Sequence, residues 1–214
     1  GGALKMPRPV HTRKDAAAAV AFQEHLFENL VGLNLPVGVP VKVWVQDEAR
    51  IGLHDPQRRC WALRGVRVVK ARQQEYEWCY VCGALEVLSG AAEFRILPTV
   101  GLELTHGFLE QIAASDPQAQ HVVIWDQAGF HHREGDPRTP PRVHLLALPA
   151  YSPELNPVER LWDLLKDTLC NRVYHGIQAL EDAACEALQP FLQDAARVRS
   201  LVGDGWLRAQ ANAS

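Results

Sequence analysis

The sequence predicts an α/β domain with a mixed central sheet flanked by helices. Two observations predict it: short segments alternate apolar and polar residues with period two, and other segments repeat with helical periodicity between them. The composition of the 214 residues, 47% hydrophobic and 22% charged, is typical of a globular protein. No apolar run approaches the roughly 20 residues that a membrane-spanning helix needs.

The first 40 residues predict a connector followed by one helix. Prolines and basic residues near the N-terminus favour an extended segment. Residues 15–33 repeat their apolar side chains with helical periodicity, and Asp15 is a plausible N-terminal cap. We expect the sheet domain to follow over residues 41–214.

The sequence pattern of residues 41–214 predicts a strand meander followed by alternating helices and strands. The predicted strands cover residues 41–47, 60–69, 75–88, 91–97, 121–126 and 142–148, and the predicted helices cover residues 104–114, 156–169 and 179–192.

Two of these strands end on an aspartate that lies on the apolar face. Val45 and Asp47 share one face, and so do Ile124 and Asp126. An ionised carboxylate at the end of a buried strand is costly to desolvate unless an opposite charge compensates it. Divalent metal is one such charge, since Mg2+ prefers carboxylate oxygens, and an arginine or a helix N-terminus is another. Each aspartate alone would also fit a capping or turn role.

Glu159 stands at a predicted helix start and has two interpretations. In the segment NPVERLW, Asn156 can be the N-cap, Pro157 suits the first helical position and Glu159 is third, which is a capping box. The same placement would aim Glu159 at a metal if this helix begins beside the strand ends. The spacing alone favours the structural interpretation.

The charge distribution gives a mixed indication about nucleic acid. The net charge of −3 argues against a DNA-binding protein, which is usually basic. One stretch nevertheless contains six basic residues and no acid: Arg58, Arg59, Arg64, Arg67, Lys70 and Arg72. This stretch is either a solvated hairpin face or a contact with the DNA backbone.

The five cysteines do not resemble a disulfide framework, because their number is odd and their spacing is scattered. They indicate a reducing cytoplasm. Cys79 and Cys82 form a CxxC pair within a predicted strand. Residues three apart on a strand point to opposite faces, so this pair is a poor chelate and a zinc site is disfavoured.

Three blocks of the sequence resemble the bacterial insertion-sequence branch of the mariner superfamily of DDE transposases. They are DEARIG, DQAGFHH and LPAYSPELNPVERLWDLLK, and the last is in full register from Leu148 to Trp162. The resemblance covers roughly residues 7–190 and implies a ribonuclease H-like fold with a metal-binding triad. By motif position the triad is Asp47, Asp126 and Glu159.

Further residues fall on or near the motifs. Arg50 and His131 are expected near the site, on phosphate or behind the metal ligands, although a salt bridge and a core histidine are equally good interpretations. Glu154 is the alternative third carboxylate, and its position in the loop ranks it below Glu159. Tyr151, Asn156 and Trp162 are expected to be scaffold.

The resemblance also implies an activity. It implies DNA cleavage at transposon ends and strand transfer into target DNA, with two Mg2+ ions, or Mn2+ as substitute, by a homodimer in the bacterial cytoplasm, associated with the nucleoid. Such transposases carry helix-turn-helix domains before the catalytic part, so a DNA-binding region is expected upstream of residues 1–40. The alternatives are a catalytically inactive DNA-binding module and another ribonuclease H-like nuclease. A glycosidase with paired carboxylates is disfavoured, since aromatic residues make up only 7%.

Overall fold

A computed structural model describes residues 14–54, 58–69, 71, 73–133, 135–203 and 205–213. Its centre is a mixed five-stranded sheet with the order β3-β2-β1-β4-β5. The strands are β1 (Val41–Gly52), β2 (Trp78–Glu86), β3 (Ala92–Leu97), β4 (Gln120–Trp125) and β5 (Val143–Ala147). The first three form an antiparallel meander, whereas β4 and β5 run parallel to β1. The predicted mixed sheet is confirmed.

Helices cover both faces of this sheet. They are α1 (Ala16–Gly32), α2 (Leu102–Ser115), α3 (Val158–Leu169), α4 (Ile177–Gln193), α5 (Ala195–Val202) and α6 (Gly205–Ala213). Asp15 caps α1 as predicted, because its Oδ1 accepts from the backbone N–H groups of Ala17 and Ala18 at 2.9 and 3.0 Å. Among the described residues, no helix is both long and apolar enough to span a membrane.

The last two helices were missing from the sequence prediction. Asp194 begins α5, and its Oδ1 accepts from the backbone N–H groups of Ala196 and Arg197. Gly203 ends the helix in the left-handed conformation, with φ of 44°. An aspartate cap and a glycine stop eight residues of helix apart are readable signals, but the helix between them is short.

The two faces of the sheet bury separate apolar clusters. The larger one joins β1 and β2 to α1, α3, α4, α5 and α6, and it contains Cys79. The smaller one joins the opposite face to α2 and contains Cys82. The prediction that the two cysteines point to opposite faces is therefore confirmed, and both are free.

The predicted strand over residues 60–69 is wrong. This segment has no strand in the structure, turns at Arg64–Gly65 and exposes Trp61, Leu63 and Val69. Its alternating pattern had no edge of β1 to pair with, because β2 occupies one side of β1 and β4 the other. An alternating pattern is typical of a strand, but a strand forms only where its backbone pairs with a neighbouring strand.

β1 does not end at Asp47, as the sequence predicted, but continues to Gly52. Its parallel pairing with β4 stops at Val45 opposite Ile124. Its antiparallel pairing with β2 continues until Gly52 faces Trp78. Asp47 therefore lies just beyond the point where β1 loses its parallel neighbour, and a gap opens there beside the end of β4.

Candidate active site

The gap beside β1 forms a cavity of about 450 Å3 that is lined by all three predicted carboxylates. Asp47 comes from β1, Asp126 follows β4 directly, and Glu159 lies in the first turn of α3. The loop before α3 supplies most of the remaining wall. Three acids that are far apart in the sequence thus share one cavity.

The charges of these acids act on one another. Burial raises the pKa of Asp47 to about 7, and the negative charges of Glu159 and Glu48 contribute to the rise. Partial desolvation raises the pKa of Glu159, Lys166 opposes this, and Asp163 and Asp126 add to it. Like charges in one cavity favour the protonated form unless a cation compensates them.

Trp162 on α3 orients Asp47. Its indole Nε1 donates to Asp47 Oδ2 at 2.9 Å. The indole reaches this position because Gly83 stands opposite Asp47 in the β1–β2 ladder. A Cβ atom on Gly83 would lie 2.7 Å from a ring carbon of Trp162. Trp162, which the sequence indicated only as scaffold, contacts a candidate ligand directly.

His131 connects Asp126 with Glu48. Its Nδ1 lies 2.9 Å from Asp126 Oδ1 and its Nε2 lies 3.0 Å from Glu48 Oε1. The ring stacks on Trp125, with centroids 4.3 Å apart. Burial opposes the charged ring, but the bonds to the two acids raise the pKa of His131 to about 10. The bond to His131 in turn lowers the pKa of Asp126.

Glu48 was not among the predicted site residues. Its side chain is 8% exposed and accepts a hydrogen bond from Gln46 Nε2 at 2.8 Å. Because neighbours on a strand point to opposite faces, Glu48 lies across the sheet from Asp47 and reaches His131 instead of the cavity. The sequence contained a signal for Glu48, because this residue is the glutamate of the motif DEARIG and follows Asp47 directly.

Asn156 fixes the start of α3 against β1. Its Nδ2 donates to the carbonyl oxygen of Gln46 at 2.8 Å, and its Oδ1 accepts from the N–H of Val158 at 3.1 Å. The N–H of Asn156 donates to the carbonyl of Pro153, so the return bond of a capping box from Glu159 is not made. Within the described residues, the Glu159 carboxylate has no hydrogen bond or ion pair with another side chain.

The cavity suits a hard cation by the chemistry of its donors, which are carboxylate oxygens. Nevertheless, the described part of the chain contains no group of three or more His, Cys, Asp or Glu side chains placed to hold a metal ion. One oxygen of Asp47 is bonded to Trp162, and one of Asp126 is bonded to His131. Glu159 is exposed and unbonded, so rotation of its side chain is the movement that would complete a ligand set.

The alternative carboxylate, Glu154, lies elsewhere. It is in a short 3-10 turn, Pro153–Leu155, and its Oε1 is 2.5 Å from Nζ of Lys14. It does not line the carboxylate cavity, although Pro153 does.

Of the predicted DNA-contacting residues, His131 is buried against Asp126 and Glu48, whereas the described basic residues lie at or near the surface. Arg50 and Arg58 line a second cavity of about 450 Å3 together with Lys166, Tyr76 and Trp78. Arg50 lies over the ring of Trp78, 5.5 Å from its centroid. Arg58 pairs with Asp163 and Asp167 of α3. The other basic residues of this stretch have the following positions: Arg59, Arg64 and Arg67 are exposed, and Lys70 and Arg72 lie outside the described residues.

The sequence is similar to known proteins. A family model described as DDE superfamily endonuclease matches residues 42–181. An uncharacterized protein, y4pE/y4sA, of Sinorhizobium fredii is 32% identical over 126 residues, which cover 58% of this chain and 93% of the relative. The insertion element IS630 uncharacterized 39 kDa protein of Shigella sonnei is 26% identical over 131 residues. The match covers 59% of this chain but only 38% of that relative.

The fold is similar to solved structures. The Mos1 strand transfer complex superposes with a TM-score of 0.63 at 14% identity, over 99% of this chain and 66% of that chain. The catalytic domain of Mos1 mariner transposase superposes with a TM-score of 0.51 at 11% identity, over 94% of this chain and 98% of that one. The predicted ribonuclease H-like fold is confirmed by this likeness.

Proposed function

The chain belongs to the DDE superfamily endonuclease family, and from this premise we propose that it is the catalytic domain of a transposase. It cuts DNA at transposon ends and joins the freed ends to target DNA. The observation that carries the proposal is the cavity that Asp47, Asp126 and Glu159 line together, in which burial and Glu159 raise the pKa of Asp47, and desolvation and Asp126 raise the pKa of Glu159. The similarity to an insertion-element protein supports it.

We propose that the carboxylates hold two Mg2+ ions, for which Mn2+ can substitute. Mos1 paired-end complexes with Mg and with Mn have the same fold as this chain, at TM-scores of 0.62 and 0.58. When bound, two such ions lower the pKa of an attacking water or hydroxyl and stabilise the leaving 3′ oxygen. Asp47, Asp126 and Glu159 position these ions through their carboxylate oxygens.

The other residues of the site orient the carboxylates. Trp162 holds one oxygen of the Asp47 carboxylate, Oδ2, through its indole N–H. His131 does the same for Asp126 and is itself held by Glu48. A positively charged His131 keeps Asp126 ionised, so this residue is ready to accept a cation at neutral pH. These are positioning residues, since none of them needs to touch the DNA.

The pH dependence of Mn2+ binding tests the role of Asp47. A carboxylate must be ionised to coordinate a cation, and the pKa of Asp47 is raised to about 7. We therefore expect the affinity for Mn2+ to rise as the pH increases, by about tenfold per unit below pH 7, and to level off above it. Isothermal titration at several pH values measures this.

A second titration uses the variant Trp162→Phe. This change removes a donor that lowers the pKa of Asp47, so the midpoint should move to higher pH. An affinity that does not change across the same range would contradict the role of Asp47. No binding of Mn2+ at any pH would favour the catalytically inactive DNA-binding module.

We propose that DNA runs from the carboxylate cavity into the second cavity along α3. Lys166 acts on Glu159 electrostatically and also lines the second cavity, so α3 connects the two. Arg50 and Lys166 can neutralise phosphates, and the exposed rings of Tyr76 and Trp78 can stack on bases.

Substitution of Arg50 tests this path. Arg50→Ala is expected to weaken DNA binding several-fold and to reduce the slope of log affinity against log salt by about one. The matched control is Lys42→Ala at the opposite end of β1, where Lys42 pairs with Asp116 at 3.0 Å. Fluorescence anisotropy with a labelled duplex measures both. Equal salt slopes for Arg50→Ala and the unsubstituted chain would exclude Arg50 as a phosphate contact.

The remaining features are proposals that rest on the family. We propose a homodimer, supported by the apolar side chains of Trp61, Leu63 and Val69, which are 103%, 81% and 81% exposed. Sedimentation velocity is the direct measurement.

We also propose a cytoplasmic, nucleoid-associated protein. Its helix-turn-helix region precedes a connector and helix over residues 1–40, which are followed by a catalytic domain over residues 41–214. The helix of the first segment, α1, packs against the catalytic domain, because its Leu26 and Leu30 lie in the larger core cluster.

A further inference from the structure

Two histidines that the proposed function does not use lie close together on the α2 side of the sheet. His106 is on α2 and His132 is in the loop after β4, and their ring centroids are 5.4 Å apart. The side chain of His132 is 2% exposed, and that of His106 is 31% exposed. We refer to His106 and His132 as the histidine pair.

Each ring has a carboxylate beside one of its nitrogens. His132 Nδ1 lies 3.2 Å from Asp136 Oδ2, and Arg138 Nη2 lies 2.6 Å from the same oxygen. His106 Nε2 lies 3.5 Å from Glu110 Oε1. A carboxylate in this position holds the proton of a neutral imidazole on the neighbouring nitrogen, so the other nitrogen carries a lone pair.

The other nitrogen of each ring has no partner. His106 Nδ1 and His132 Nε2 are both buried, and neither has a hydrogen-bond partner among the described residues. Buried polar atoms are almost always paired, so two unpaired acceptors in neighbouring rings require an explanation. A cation coordinated by both nitrogens would satisfy the two atoms together.

We propose that the histidine pair binds a transition-metal ion of the Zn2+ class. Zinc binds imidazole nitrogen at about 2.0–2.1 Å, which for two rings on a tetrahedral ion places the ring centroids about 5 Å apart. The observed centroid distance of 5.4 Å fits this arrangement. Imidazole favours zinc, nickel and copper, whereas Mg2+ favours oxygen, so this ion differs in class from those of the carboxylate cavity.

The ligand set is small and open. The described residues contain no group of three or more metal-ligating side chains, so the protein contributes two imidazoles and water completes the coordination. The ion would tie α2 to the loop that begins at Asp126 and passes through His131. Its expected effect is to hold that loop against α2. None of the three candidate triad residues is a ligand.

Zinc titration of the metal-free chain, with millimolar Mg2+ present to saturate oxygen sites, tests the proposal. We expect one Zn2+ to bind with micromolar affinity and to raise the thermal unfolding temperature. His132→Ala and His106→Ala should each weaken this binding by at least about tenfold and remove the zinc-dependent shift. Co2+ should give a visible absorption band that both substitutions abolish.

The matched control is His25→Ala. His25 also has a carboxylate partner, Glu28 at 3.7 Å, but its side chain is 62% exposed and no described imidazole stacks with it. Zinc binding should survive this change. His106→Ala decides the test if His132→Ala does not fold, because His106 is on a helix and partly exposed, and alanine is a good helix former.

Equal zinc affinity in the unsubstituted chain and in His106→Ala would overturn the proposal, and so would an equal loss in His25→Ala. The result is independent of the proposed function. Asp126→Asn should keep zinc binding while it loses cleavage, so failure of the zinc site and failure of the transposase assignment give different outcomes.

Discussion

Asp126→Asn is expected to reduce Mg2+-dependent cleavage at transposon ends by about a thousandfold or more, while the fold stays intact. The substitution keeps the size of the side chain and removes only its charge. Losing the ionised ligand of a metal-assisted reaction costs several kcal/mol of transition-state stabilisation, and about 4 kcal/mol corresponds to a thousandfold. A plasmid excision assay with the full-length protein measures the effect.

The fold should survive because the local bonds of Asp126 can be kept. Its Oδ1 accepts from the N–H of Ala128 at 2.9 Å, and an asparagine oxygen can do the same. His131 retains Glu48 as its partner. Circular dichroism and unchanged DNA binding would verify that only the chemistry is lost.

Asp116→Asn is a matched control for this substitution. Asp116 lies at the end of α2, away from the carboxylate cavity, and its Oδ1 likewise accepts from the N–H of a residue two positions on, Gln118, at 3.1 Å. It should leave excision unchanged. Full excision activity in Asp126→Asn would refute the assignment of Asp126 as a ligand.

Glu159→Gln is expected to cause a loss of similar size, because it removes the third carboxylate of the cavity. Glu159 is exposed and makes no bond within the described chain, so its removal should not lower stability. The neutral side chain should also lower the pKa of Asp47, which Glu159 now raises. Single-turnover cleavage and chemical denaturation separate the catalytic effect from any effect on folding.

Glu154→Gln provides the comparison within the same motif. Glu154 pairs with Lys14 on the surface, and such exposed ion pairs contribute roughly 0–1 kcal/mol. This variant should keep its activity within about twofold. If Glu154→Gln were inactive and Glu159→Gln active, the third carboxylate of the triad would be Glu154 and not Glu159.

The sequence predicted the elements whose pattern and partners are local. The cap of α1 at Asp15 follows from a local capping signal, and the strand before Asp126 follows from short-range periodicity. The predicted strand over residues 60–69 was wrong because a strand forms only where the fold places its backbone beside a partner strand, and one segment's periodicity does not show that.

The three acids of the candidate site could be predicted from the sequence, whereas the residues that orient their side chains could not. Asp47, Asp126 and Glu159 could be named from strand ends and motif position, and the structure brings them to one cavity. The bond from Trp162 to Asp47 and the link from Glu48 through His131 join residues far apart in the chain. No spacing rule in one sequence gives such contacts.

The extension of β1 beyond Asp47 makes two successive acids serve different sides of the molecule. Asp47 faces α3 and the indole of Trp162, whereas Glu48 faces the imidazole of His131. A slip of β1 by one residue against β2 would exchange the two and bring a glutamate to the place of the shorter aspartate. The pairing of Asp47 with Gly83 therefore determines which of the two acids faces the carboxylate cavity.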